Sequence, residues 1–217
     1  KKEERMKNLF LSTTAMIIAG SIIAQKYPDP EFSNEVYYLK IDSGNVLVRL
    51  EKESSKMDTK TKMGGFGGSE TGYSIEGEKS PTRLTNGKNL SFVFSTETSS
   101  ASQAASVKRD SMMRANGADP SMMEMMNKDP SSTITLYKTE SGKGQRKIFM
   151  QKIGSAFSSH NMQSSDKYTF SVKKIKEGYW ELVIDKSFPK GEYAFTMMDM
   201  MNMSGMGGTV IFAFAID

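Results

Sequence analysis

VYYLKIDSGNVLVRLE, residues Val36 to Glu51, sets two runs of apolar and polar side chains around the turn-forming DSGN. A period of two puts Val46, Val48 and Leu50 on one face of a strand, and Asp, Ser, Gly and Asn together predict a hairpin turn between the two runs. The same pattern recurs along the chain. GYSIEG (Gly72 to Gly77), NLSFVF (Asn89 to Phe94), TITLYK (Thr133 to Lys138) and RKIFMQKI (Arg146 to Ile153) read as strands. So do KYTFSVKKI (Lys167 to Ile175), YWELVI (Tyr179 to Ile184), GEYAFTM (Gly191 to Met197) and TVIFAFAI (Thr209 to Ile216). YWELVI is apolar at nearly every position, as in a strand covered on both faces. SGKGQRK, Ser141 to Lys147, reads as the turn between two of these strands, and MDTKTKMGGFGGSETG, Met57 to Gly72, as a surface loop or an edge hairpin. About ten short strands punctuated by turn signals predict an all-β fold, an antiparallel β-sandwich.

One segment breaks the period. Thr98 to Pro130 is rich in Ala, Met and charge and nearly free of β-branched residues. A first helix is expected from about Ser102 to Ala115, closed by Asn116-Gly117. A second is expected to start at Asp119 as N-cap with Pro120 at the first helical position. The expected organisation is thus a single β-sandwich domain over residues 25–217 with a short Met-rich helical insertion at about 98–130.

The start is set apart. Behind Met6 and Lys7, the run LFLSTTAMIIAGSIIA (Leu9 to Ala24) has the layout of a secretory signal peptide, with Ile22 and Ala24 before the cleavage point and Gln25 as the new N-terminus. Residues 1–24 are therefore excluded from the fold. The run is shorter than the ~20 apolar residues of a membrane span, so no stable transmembrane span is expected after cleavage.

At 217 residues, 37% hydrophobic and 25% charged, the chain can build a sizeable core. Its net charge of +4 falls to +2 once Lys1, Lys2, Arg5 and Lys7 leave with Glu3 and Glu4. No basic patch interleaved with aromatics is present, so nucleic acid is not an expected partner. The absence of cysteine removes disulfides, a thiol nucleophile and lipoprotein-type acylation, and leaves the fold to its core. The expected location is periplasmic or secreted, with the periplasm favoured because the closing strand carries no sorting domain behind it.

Of 18 methionines, twelve lie in the segments Met112 to Met126 and Met197 to Met206. MMEMM (Met122, Met123, Met125 and Met126) and MMDMM (Met197, Met198, Met200 and Met201) each place a carboxylate between paired thioethers. On a helix the first cluster forms one broad thioether face. Thioether sulfur is a soft donor needing no deprotonation, so these eight residues are candidate ligands for Cu(I) or Ag(I). Methionine is equally a flexible hydrophobe suited to packing or to an adaptable partner surface, and this is the preferred assignment.

Other chemistry finds few residues. His160, the one histidine, sits in the polar run SSHNMQSSD, which reads as a solvated loop unsuited to a Ser-His-Asp triad. GGFGGSETG lacks the GK[ST] and the strand–helix context of a phosphate cradle. Carboxylates mostly alternate with lysines along predicted strand faces and read as solvated. Tyr37, Tyr38, Tyr179, Trp180 and Tyr193 are candidates for a sugar or peptide groove, or for core packing.

SPTRL (Ser80 to Leu84), DPSSTITLYK (Asp129 to Lys138), FPKGEYAF (Phe188 to Phe195) and the ending FAFAID (Phe212 to Asp217) resemble a group of exported Bacteroidetes proteins of β-sandwich type. The resemblance spans roughly Tyr27 to Asp217, implies an envelope location and offers no catalytic residues. The expectation is an exported, non-catalytic binding or interaction module without a cofactor, facing a protein or glycan partner. The alternative is a periplasmic Cu(I)/Ag(I)-binding protein.

Overall fold

A computed structural model describes residues 27–85, 88–96, 130–155, 162–198 and 208–217. Strands form 61% of these residues, so the protein is all-β. In chain order they are β1 (Glu35–Lys40), β2 (Val46–Arg49), β3 (Glu51–Lys56), β4 (Asp58–Thr61), β5 (Ser69–Glu76), β6 (Arg83–Leu84), β7 (Leu90–Ser95) and β8 (Ile134–Lys138). There follow β9 (Glu140–Gly142), β10 (Gln145–Ile153), β11 (Met162–Gln163), β12 (Lys167–Tyr168), β13 (Ser171–Lys176), β14 (Tyr179–Ile184), β15 (Gly191–Met198) and β16 (Gly208–Ile216). Among the described residues the helical turns are three 3-10 turns, Ile41–Ser43, Met63–Gly65 and Pro130–Ser132. The two helices expected before Pro130 lie outside the described residues.

The strands form three sheets. A front sheet runs β13-β14-β7-β1-β2, a central sheet β12-β8-β15-β16-β3 and a rear sheet β11-β10-β5-β4. Pairing is antiparallel except where short β6 runs parallel to β16. The hairpin around DSGN forms, with Gly44 and Asn45 both at positive φ. It departs from expectation at Leu50. Val46 is exposed and β2 stops at Arg49, while Leu50 is buried where the chain leaves the front sheet for β3 in the central one. A second bend at Met57 carries the same extended chain into β4 of the rear sheet. KYTFSVKKI is likewise two strands, β12 in the central sheet and β13 in the front one. MDTKTKMGGFGGSETG contributes an edge hairpin, β4 to β5, with Gly68 at φ 90° where a Cβ would collide with the Ile153 carbonyl.

The central sheet is buried on both faces, and its two faces differ in size. Tyr193, Phe195, Phe212, Phe214 and Ile216 join Phe92, Phe94, Trp180 and Leu182 of the front sheet in the main core. Phe92 lies 4.9 Å from Phe195 and 5.0 Å from Phe214 between ring centroids. Ala194, Ile211 and Ala213, from the alternate positions, meet Ile75 and Ile148 of the rear sheet. Bulky rings thus set one spacing, and alanines let the rear sheet approach the other face. The outer face of the front sheet is covered by Tyr27 against Leu39, Val93 and Tyr179, with the Tyr179 hydroxyl donating to the Pro28 carbonyl at 2.6 Å. Tyr37, Tyr179, Trp180 and Tyr193 are buried, and Tyr38 packs on the main core.

The expectation that charges lie on solvated faces fails at three places. Glu35, 3% exposed, accepts from Arg49 at 2.8 and 2.9 Å and from Lys52 at 2.8 Å, tying β1 to β2 and β3. Glu181 accepts from Tyr27 at 2.7 Å and from Ser91. Arg146, 1% exposed, donates to both Glu51 carboxylate oxygens at 2.7 Å and to the Glu76 and Gly77 carbonyls at 2.8 and 3.0 Å.

Burial raises the Glu35 carboxyl pKa, but the bonds from Arg49 and Lys52 outweigh it and hold the group below its ordinary value. Glu70, bonded by Lys62 and Lys147, is pulled down to about 2. Groups titrating lower in the folded than in the unfolded chain contribute stability above the unfolded pKa and lose it as pH falls through the folded one. Urea midpoints are therefore expected to fall between about pH 5 and pH 2, with Glu35→Gln flattening part of that fall. Unfolding in denaturant is also expected to show Phe214→Ala costing about 3–5 kcal/mol by cavity formation. Ala213→Leu, one residue away on the opposite face, is expected to cost about 1–3 kcal/mol by overpacking.

Candidate functional site

The space between central and rear sheets changes character along its length. On β10 the inward residues are Arg146, Ile148 and Met150; on β15 their counterparts are Glu192, Ala194 and Thr196. At one end Arg146 binds Glu51 and lies 3.8 Å from Glu192, which also accepts from the Ser80 amide at 2.8 Å. In the middle the alanines and isoleucines pack closely. At the other end the layers part around a cavity of about 290 Å³. This cavity is the candidate site.

Its walls follow from strand register. Thr135 and Tyr137 of β8 pair with Thr196 and Ala194 of β15, and Thr209 of β16 pairs with Met198. With Thr133, these alternate positions bring a field of hydroxyls to the end of the central sheet. Tyr73 of β5 and Met150 of β10 form the opposite wall, while Asn34, Phe94, Ser132 and Met197 close the rim. Met150 follows Arg146 and Ile148 at alternate positions of β10, and the β10–β5 register shifts beside it, between Phe149 and Gln151. The Tyr137 hydroxyl points at the Met150 sulfur at 3.9 Å, and Thr196 Oγ1 donates to the Thr135 carbonyl at 3.3 Å.

The described lining holds no carboxylate, lysine, arginine or histidine. It therefore offers aromatic faces, thioethers, hydroxyls and one amide, which suit binding and orientation and supply no acid–base pair. Among the described residues no group of three or more His, Cys, Asp or Glu is placed to hold a metal ion. No helix among them is long and apolar enough to cross a membrane, which says nothing of a β-barrel.

Of the eight methionines singled out in the sequence, Met122, Met123, Met125, Met126, Met200 and Met201 lie outside the described residues, as does His160. Met197 is half-buried, packs on the main core and reaches the cavity rim, and Met198 ends β15. Described residues close to both ends of each methionine-rich segment meet at the cavity. Phe94, Ser132, Met197 and Thr209 line it, and each lies within two residues of Thr96, Pro130, Met198 or Gly208, the described residues that flank 97–129 and 199–207. Met150, Tyr73, Tyr137 and the threonines were not singled out from sequence. The signal available was the unbroken apolar triplet Ile148-Phe149-Met150, which interrupts strand alternation where the register shifts.

Compared with protein-family models, curated proteins and solved structures, the chain matches none.

Met150 is half-buried on a cavity wall, whereas Ile148 is fully buried in the packed middle of the same interlayer. By denaturant unfolding, Ile148→Ala is expected to cost about 2–5 kcal/mol and Met150→Ala less than about 1.5 kcal/mol, as fits a residue held for binding more than for packing.

Proposed function

We propose that the chain is an exported, non-catalytic binding module of the bacterial envelope, of β-sandwich type, that takes a small ligand at the open end of its central–rear interlayer. The observation that carries this is the cavity of about 290 Å³ beside the strand ends flanking both methionine-rich segments. Ligand sites favour such concave places with a few convergent polar groups. Methionine-rich sequence of this kind suits an adaptable surface for a protein or glycan partner. A signal-peptide-like start supports export, and an uncharged wall supports binding without catalysis.

A second assignment, Cu(I) or Ag(I) binding, is favoured by one observation: the thioethers of Met150 and Met197 share the cavity lining, and Met197 opens MMDMM. Met122, Met123, Met125, Met126, Met198, Met200 and Met201 would complete its donor set.

Expression with the native start in a Gram-negative host, followed by fractionation and N-terminal sequencing, is expected to recover periplasmic chain beginning at Gln25. In a competition titration against a chromogenic Cu(I) chelator, residues 25–217 are expected to take no stoichiometric copper. Tight copper uptake that disappears when the eight MMEMM and MMDMM methionines become leucine would replace the small-ligand assignment by the metal one.

A further inference from the structure

Resting on the assignment of the cavity as a ligand site, we infer that its guest is an uncharged molecule with a short aliphatic body and a single hydroxyl end. Three observations converge on this chemistry. First, the described lining carries no charged side chain, so an ion entering it would shed hydration without a counter-charge. The chain does bury charges in the same interlayer, but at the opposite end, where Arg146 finds Glu51 and Glu192.

Second, the apolar part of the wall is Phe94, Met150 and Met197 with the rings of Tyr73 and Tyr137. Unbranched thioethers adapt to flexible aliphatic chains. The hydroxyls of Tyr73, Tyr137, Ser132 and the threonines are left to meet the polar end of the guest, and glucose in the titration below tests a polyhydroxylated one against it. Third, Thr196 Oγ1 already spends its proton on the Thr135 carbonyl, which leaves its lone pairs to accept. A guest O–H donor fits that atom better than a carbonyl does. At about 290 Å³ the cavity sits at the small end of the ~300–1,000 Å³ range of ligand sites, which excludes a peptide or oligosaccharide from lying within it.

The test is calorimetric titration of residues 25–217 at neutral pH with 1-octanol, octanoate, octylammonium and glucose, repeated on Thr196→Val and Met150→Phe. The expected result is octanol binding, with octanoate and octylammonium at least about tenfold weaker and glucose undetected. Thr196→Val, which keeps volume and removes the acceptor, is expected to weaken octanol about three- to tenfold, with circular dichroism unchanged. If octanoate or octylammonium binds as tightly as octanol and Met150→Phe weakens it, the ligand site stands and the uncharged guest falls. Glucose binding tighter than octanol would overturn the aliphatic body in the same way. If none of the four binds, the ligand-site assignment falls with the inference built on it.

Discussion

The structure depends on a central pair of strands, β15 and β16, that is dry on both faces. Backbone groups of these strands are satisfied across the ladder from Gly191 opposite Ile216 to Met198 opposite Thr209, so the two side-chain faces are free to set the distance to each neighbouring sheet. Toward the front sheet they send aromatic rings, and Phe195 and Phe214 lie 5.8 Å apart with Phe92 against both. Toward the rear sheet they send alanines and one isoleucine. An alternation of large and small residues along one strand thereby becomes a thick layer on one side and a thin one on the other. The cavity is a consequence of where the thin layer runs out. Beyond Ala194 the inward positions are threonines, and a hydroxyl field does not draw the rear sheet closer.

At the other end the thin layer is held by charge. Arg146 is buried there and donates to Glu51 and two carbonyls, with Glu192 beyond. Desolvation offsets much of the attraction in a buried pair of this kind. Here Arg146 joins β10 to Glu51 of β3 and lies beside Glu192 of β15. Met150, two residues beyond Ile148 on the same face of β10, then forms a wall of the cavity. Clamp, packed middle and open end form one graded interlayer.

Much of the strand content was legible because period-two alternation survives wherever a strand has one wet face. YWELVI was legible as a doubly covered run and TVIFAFAI as a strand, and their register positions decide the layering. What stayed hidden were changes of sheet without a turn. Nothing in VLVRLEKESSKMDTKT marks Leu50 or Met57 as corners, since no Gly or Pro stands there and extended backbone continues through both. Buried Arg146 was equally silent, because a lysine- and arginine-bearing strand reads as solvated until Glu51 and Glu192 are brought to it from elsewhere in the chain. Little of the cavity lining was legible in the sequence. Of the methionine clusters Met197 lies at the cavity rim, whereas Met150, Tyr73 and the strand threonines come from five strands whose convergence only tertiary register supplies.

The most direct test of this account is methionine-methyl NMR on the chain labelled at its methionine methyl groups, titrated with 1-octanol and assigned by single Met→Leu variants. The account predicts that the Met150 and Met197 methyl signals move together along one binding curve while exposed Met63 and Met57 stay in place. Movement of Met63 or Met57 with Met150 unmoved would place the ligand on the edge hairpin and contradict the interlayer site.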